Sequence, residues 1–314
     1  MRFMRNSDVR VLYMGTPEMS ANVLRGLIEA GFSVVGVVSQ ADKEVGRKRV
    51  LEPAPTKKVA LEHGIPSFTP AKIRLDYAFA ESLSFDVIVT MAYGQIIPEG
   101  LLRLAKVGPV NLHGSLLPEL RGAAPIQRAI MQGKTVTGVT LMEMTAAMDA
   151  GVMYDKEEVA IDPEDNYTTL SKKISDAARS LILKDLLKYA NGELIGEKQD
   201  RSLVTIANKI RPEDEKLPLN LSSKDAINYI RALSDEPGAF AMLGDKKFKI
   251  YKASMGPEEI SSPLGTLRAI KGDLYLQLMD GLIRLDEIQL EGKKRMDARS
   301  FLNGAHLEEG ARLK

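Results

Sequence analysis

The chain has 314 residues, 44% hydrophobic and 27% charged, with a net charge of +1, the make-up of a soluble globular protein long enough for two domains. A balance this close to neutral excludes a whole-chain field that would gather nucleic acid, so such a partner would have to be met by local patches. There is no cysteine, which excludes disulfides, thiolate chemistry and cysteine zinc sites. The three histidines, His63, His113 and His306, stand in unlike contexts, which argues against a histidine-based metal site.

In chain order, Met1 to Asn6 carries two positive charges with no apolar core behind it, and no run approaches the roughly 18 apolar residues of a membrane span. Neither a signal peptide nor an anchor is expected, and the cytoplasm is the default compartment. Val9 to Gly15 reads as a first strand, Met19 to Ala30 as a helix stopped at Gly31, and the valine-rich Phe32 to Ser39 as a second buried strand. Lys57 to His63 is a short helix ended by Gly64. Phe85 to Ala92 and Val107 to His113 are β-branched runs. A helix over Pro125 to Gln132 follows, with proline in its first turn. Val136 to Met144 and Val152 to Ala160 read as strands and Thr168 to Tyr189 as a long helix. Strands alternating with helices predict an α/β unit with a mostly parallel, doubly wound sheet over residues 1–190. Residues 191–210 read as a linker in which Leu203 to Ile206 could dock on a domain. In residues 211–314 a helix over Ser223 to Leu233, capped by Ser222 or Ser223, precedes five short strands: Ala239–Leu243, Phe248–Ser254, Gly265–Ile270, Leu274–Leu278 and Leu282–Leu290. That spacing predicts a small antiparallel barrel.

The stretch Val110 to Pro118 carries the most chemistry. Asn111 and His113 are two residues apart on a strand, hence on the same side. Gly114-Ser115-Leu116-Leu117-Pro118 cannot extend that strand, so the pair sits at its carboxyl end, where open α/β sheets bind ligands. Asp149, in Met148-Asp149-Ala150-Gly151, could supply a carboxylate, although a turn aspartate is often no more than that. Amide, imidazole and carboxylate together suit acyl transfer to an amine: oxyanion donor, proton carrier and orienting group. Ser115 lacks the Gly-x-Ser-x-Gly setting of a nucleophile. The turn Met14-Gly15-Thr16-Pro17 lacks the glycines of a dinucleotide fingerprint, and no phosphate loop is present, which argues against an oxidoreductase or a kinase. Tyr93 to Pro98 is either a hydrophobic loop or a surface for a flat heterocycle read by main-chain groups. The basic stretch Lys43 to Arg49 is either a solvated surface or a phosphate contact. Lys246 to Lys249 and Lys293 to Arg295 add patches suited to a nucleic-acid backbone.

Asn111 to Pro118, then Arg121-Gly122-Ala123-Ala124-Pro125-Ile126-Gln127, resembles the signature of the formyltransferases that use 10-formyltetrahydrofolate. The resemblance runs nearly end to end, through Ala92 to Pro98, Met148 to Gly151, Ala207 to Ile210 and Ile230 to Leu233. Its C-terminal part points to the branch of that family acting on an aminoacylated tRNA. It implies a Rossmann-like catalytic domain followed by an OB-like β-barrel domain that holds the tRNA. Asn111, His113 and Asp149 become the catalytic trio. Ser115, Leu116, Leu117 and Pro118 line the folate site, with Tyr93, Gly94, Gln95 and Ile96 beside it. Arg47, Lys48 and Arg49, with Lys247 and Lys249, meet the tRNA. The resemblance further implies 10-formyltetrahydrofolate as formyl donor, initiator methionyl-tRNA as acceptor in translation initiation, no metal because the donor is already activated, and no obligatory protein partner. There are two departures from the family pattern: no proline precedes Gly46-Arg47, and Lys216 to Asn220 replaces an Asp-Trp pair at the start of the second domain. Rival expectations are a formyltransferase for a small amine, an inactive RNA-binding relative, and a hydrolase that releases formate.

Overall fold

The computed structural model describes residues 4–45, 50–260, 262–304, 308 and 310–314. The chain divides into two compact units: Met1–Pro125 with Val136–Ala160 and Ser171–Ala207, and Ile126–Thr135 with Ile161–Leu170 and Asn208–Lys314. The elements of the first are β1 (Arg10–Gly15), α1 (Glu18–Glu29), β2 (Ser33–Val38), β3 (Lys43–Val45), β4 (Val50–Glu52), α2 (Pro55–Glu62), β5 (Ser67–Phe68), β6 (Val87–Met91), α3 (Glu99–Leu102) and β7 (Gly108–His113). Then α4 (Pro125–Met131) precedes β8 (Val136–Glu143) and β9 (Met153–Ala160), and α5 (Tyr167–Ala190) runs from one unit into the other.

Seven strands form one sheet in the order β5-β2-β1-β6-β7-β8-β9. The first five are parallel, and β8 and β9 are added antiparallel at one edge. Val11 to Met14 of β1 and every residue of β6 are buried. Such unbroken apolar runs are what strands covered on both faces require. The sequence steps outward through β2 and β5 on one side of β1, and through β6 and β7 on the other. That reversal opens a crevice at the carboxyl ends of the strands, where Gly15, Met91 and His113 end β1, β6 and β7. The crevice is lined by loops, so the sheet itself need not be interrupted to make a site.

The segment expected to be a linker is stitched to the first unit as far as Ala207. Met153 and Glu197 exchange backbone hydrogen bonds of 2.8 Å, and Ala207 N donates to the Arg121 carbonyl at 2.7 Å.

In the second unit α6 (Ser223–Leu233) precedes β10 (Ala239–Leu243), β11 (Lys246–Met255), β12 (Leu267–Ile270), β13 (Asp273–Gln277), β14 (Leu282–Leu290), β15 (Met296–Asp297) and α7 (Ala298–Gly304). The strands form an antiparallel sheet, β10-β11-β14-β13-β12, with β15 on β14. The final residues join its two edges: Leu313 bridges Leu243 of β10, and Arg312 bridges Thr266, just before β12. The start of this unit packs without the aromatic residue of the family pattern. Leu217 is buried among Ala226, Ile230, Ala239 and Phe248, and its N–H donates to the Phe240 carbonyl at 2.7 Å. At the head of α6 the Ser222 hydroxyl accepts from the Asp225 N–H at 3.1 Å. Ser222→Ala is expected to lower the stability of this unit by about 1 kcal/mol, read as a lower denaturant midpoint with an unchanged slope.

Candidate active site

Asn111 and His113 are the last alternate residues of β7, and both face the crevice side of its end. Asn111 pairs with Thr90 of β6 and Met142 of β8, so its backbone is held from two sides, and His113 pairs with Thr140 of β8. The Thr90 hydroxyl donates to Asn111 Oδ1 at 2.7 Å. With the oxygen so engaged, the amide nitrogen is turned away from β6, and among the described residues no hydrogen bond uses it. The Asn111 N–H₂ is therefore a directed donor with spare capacity.

His113 is 5% exposed. Its Nε2 lies 2.9 Å from the Leu120 carbonyl. A carbonyl only accepts, so Nε2 carries a hydrogen in either ionisation state. The other ring nitrogen, Nδ1, is 3.6 Å from Asp149 Oδ1. Proton exchange at this ring therefore falls to Nδ1, on the side of the carboxylate. Asp149 Oδ2 accepts from the Gly122 N–H at 2.9 Å, which anchors one carboxylate oxygen and presents the other to the imidazole.

Three non-glycine residues at this end of the sheet have left-handed backbones: Ala92 (φ 49°), Leu120 (φ 57°) and Asp149 (φ 49°). Each costs on the order of 1–3 kcal/mol, and such strain persists where the surroundings impose it. Leu120 carries the carbonyl that holds His113, and Asp149 carries the carboxylate. Gly151 is required beside them, because a Cβ there would lie 2.0 Å from the Glu143 carbonyl oxygen.

The residues expected around a folate divide into two sets. Ser115 and Leu117 are buried and build the loop itself. The Ser115 hydroxyl donates to the Glu119 carbonyl at 2.7 Å, the Thr140 hydroxyl bridges Ser115 O and Leu117 N, and Lys156 Nζ donates to Leu117 O at 2.7 Å. Leu116 and Pro118 are half-buried. In the neighbouring loop the Tyr93 ring is in the core, and burial pushes its hydroxyl up to about 12. Its carbonyl accepts from Thr16 Oγ1 and Gln40 Nε2, both at 3.0 Å. The Gln95 amide joins Ile73 N and Pro70 O. Gly94 and Ile96 are exposed. A Cβ on Gly94 (φ 89°) would lie 2.1 Å from Gln40 Nε2, so the backbone there stays bare.

Of the cations expected at tRNA, Arg47, Lys48 and Arg49 lie outside the described residues. Lys247 and Lys249 occupy one face of β11, opposite the buried Phe248 and Ile250. Lys247 is exposed with its ammonium 4.4 Å from the Phe240 ring, and Lys249 Nζ donates to the Pro237 carbonyl at 2.6 Å.

Sequence reasoning missed Thr90, Leu120 and Gln199. Thr90 had a signal, being the single polar residue in the apolar run Val87–Met91. The Gln199 side chain bridges Arg121 to the turn of Asp149, and nothing local in its sequence announces that.

Two family models match the chain: formyl transferase over residues 8–186, and formyl transferase, C-terminal domain, over residues 209–306. It is 43% identical over 297 residues to the methionyl-tRNA formyltransferase of Lactobacillus johnsonii, spanning 94% of this chain and 95% of that protein. To the methionyl-tRNA formyltransferase of Bacillus subtilis it is 42% identical over 305 residues, 96% of each. Its fold is similar to that of an N-formyltransferase from Helicobacter canadensis solved with folinic acid and dTDP-3-aminofucose (TM-score 0.69, 19% identity, 88% of this chain and 98% of that chain). It is also similar to HypX from Aquifex aeolicus in complex with tetrahydrofolic acid (TM-score 0.64, 17% identity, 93% of this chain and 46% of that chain).

Proposed function

The chain belongs to the formyl transferase family, within it to the methionyl-tRNA formyltransferases, and from that premise we propose how its residues move a formyl group from 10-formyltetrahydrofolate to the α-amine of methionyl initiator tRNA. The observation that carries the mechanism is the arrangement at the end of β7: a directed amide donor, and beside it an imidazole whose free nitrogen faces an anchored carboxylate.

The donor supplies an already activated formyl group. Gly94 and Ile96 on one loop and Leu116 and Pro118 on the other offer bare backbone and accessible apolar surface, which fits a flat heterocycle. Tyr93, Gln95, Ser115 and Leu117 hold those two loops in shape. As the amine attacks, charge grows on the formyl oxygen, and the Asn111 N–H₂ donates to it. The donor is aimed before the reaction, so little reorganisation is needed when the charge appears. The attacking nitrogen must lose a proton. His113 Nδ1 takes it, on the side of the ring that faces the Asp149 carboxylate. Nε2 stays on the Leu120 carbonyl throughout and keeps the ring from turning. The leaving nitrogen needs a proton in return, and the same imidazolium supplies it.

The tRNA-facing part of the proposal rests on the C-terminal family match and on basic residues, Arg47, Lys48 and Arg49 in one loop and Lys247 and Lys249 on β11. A small amine acceptor would not need the basic residues. No helix among the described residues is long and apolar enough to cross a membrane, and translation initiation places the enzyme in the cytoplasm. The test is formyl transfer from 10-formyltetrahydrofolate to methionyl initiator tRNA, methionyl elongator tRNA and free methionine. Transfer confined to the initiator is the expected result. Transfer to free amines with none to either tRNA would leave the chemistry standing and overturn the acceptor.

A further inference from the structure

The side-chain amide of Gln199 uses all four of its hydrogen-bonding positions. Its Oε1 accepts from Arg121 Nε and Nη2 at 2.9 and 2.7 Å, and its Nε2 donates to the carbonyls of Asp149 and Gly151, each at 2.8 Å. It thereby ties together the two loops that meet the His113 ring from opposite sides. One loop gives Leu120 O to Nε2 and Gly122 N to Asp149; the other carries the Asp149 carboxylate itself. Thr205 continues the stitch: its hydroxyl accepts from Leu120 N at 2.8 Å and its carbonyl from Arg121 N at 2.9 Å.

Asp149 adopts a left-handed backbone, which aspartate tolerates better than most non-glycine residues but still at a cost. Two N–H donors from one rigid amide, placed on the carbonyls of residues 149 and 151, oppose relaxation of that turn. Relaxation would swing the carboxylate relative to an imidazole only 3.6 Å away.

We propose that Gln199 is a positioning residue for formyl transfer: it holds the Asp149 turn against the Leu120–Gly122 loop and so sets the His113–Asp149 geometry. This rests on the functional reading above. It gives the segment joining the two family-matched regions a part in the chemistry, in addition to its part in the chain path. A glutamine suits the task because it accepts from a guanidinium and donates to two carbonyls at once. Glutamate keeps the size and the Arg121 contact but loses both donors. Methionine keeps the size and loses every hydrogen bond.

The test compares Gln199→Glu and Gln199→Met with the parent enzyme, using Asp200→Ala as control. The Asp200 side chain caps only the adjacent turn at Ser202. Steady-state formyl transfer to methionyl initiator tRNA is measured alongside the imidazole ¹⁵N shifts of His113, which are tractable in a chain with three histidines. The expected result is a fall in kcat of roughly 10- to 100-fold in both variants. KM for donor and tRNA stays near the parent's, the Nδ1 resonance of His113 moves while Nε2 stays, and Asp200→Ala resembles the parent. An unmoved Nδ1 resonance, or a kcat no lower than that of the control, would show a structural staple only and overturn the proposal. The ¹⁵N shifts need no substrate. Parent enzyme inactive on this tRNA would therefore sink the functional reading separately, while the link from Gln199 to His113 is still decided by the resonances.

Discussion

His113→Ala is expected to lower the single-turnover rate of formyl transfer by about 10²- to 10⁴-fold, with both substrates saturating and with no comparable loss of tRNA binding. The ring is nearly buried, and its Nε2 is committed to the Leu120 carbonyl at 2.9 Å. What the reaction loses is therefore Nδ1, the nitrogen beside Asp149, together with the proton it takes from the amine and returns to the leaving group. Among the described residues the one other imidazole, His63, is exposed just past α2. His113→Asn would separate packing from proton transfer: it keeps a polar group near the Leu120 carbonyl and removes the titrating nitrogen, so it should be as slow as the alanine variant. A His113→Ala enzyme with near-parental turnover would mean that the amine loses its proton to solvent and that the imidazole is structural.

Asn111→Ala is expected to cost about 3 kcal/mol of transition-state stabilisation, or 10²- to 10³-fold in kcat, the usual worth of one oxyanion donor. Thr90 sharpens this expectation. Its hydroxyl donates to Asn111 Oδ1 at 2.7 Å, which leaves the amide nitrogen to the crevice. The loss should appear in kcat with little change in KM, because the ground-state formyl oxygen carries less charge than the one that forms. Asn111→Asp tests charge as well as reach: a carboxylate in the same position repels the developing oxyanion and should be at least as slow as alanine. A raised KM for the donor with kcat unchanged for Asn111→Ala would instead mark Asn111 as a binding group that does not discriminate the transition state.

Much of this was legible in the sequence, and for identifiable reasons. β1, β6 and β7 are apolar runs bounded by glycine or by a Gly-Ser-Leu-Leu-Pro stop. The carboxyl end of β7, where the chemistry gathers, follows from that stop alone. β10 and β14 match the expected ranges, as does α6 from Ser223 to Leu233, capped by Ser222. The antiparallel pairing of β9 with β8 follows from their short connection, since a parallel pair needs a longer crossover.

What escaped is equally instructive. The hairpin of β3 and β4 has strands of three residues each, too short for alternation to show, and its Lys43, Glu44 and Glu52 read as an exposed charged loop. α7 spans seven residues, yet a cue existed: Asp297 Oδ1 accepts from the Ser300 N–H at 2.9 Å, an acidic cap three residues upstream. The linker from residue 191 reads as spacer because its composition is polar. Its pairing with Arg121 and Met153 depends on residues 44 to 85 positions away in the chain, which no local pattern encodes. The left-handed backbones of Ala92 and Leu120 are also invisible to propensity, since only surroundings can impose them on such residues.

The trio itself came from two sources. Asn111 and His113 follow from strand periodicity and the stop after it. Asp149 reads from the sequence as a candidate carboxylate that could equally be a plain turn aspartate, the family resemblance makes it one of the trio, and the structure sets its carboxylate 3.6 Å from the ring. Its role beside His113 is therefore the claim most in need of a direct trial.

That trial is a double-mutant cycle on the single-turnover rate of formyl transfer to methionyl initiator tRNA, with His113→Ala, Asp149→Ala and the pair together. If the carboxylate acts through the imidazole, the double variant should be about as slow as His113→Ala alone, because removing the ring already removes what Asp149 supports. Losses that multiply in the double variant would show the two groups working independently and would contradict the account.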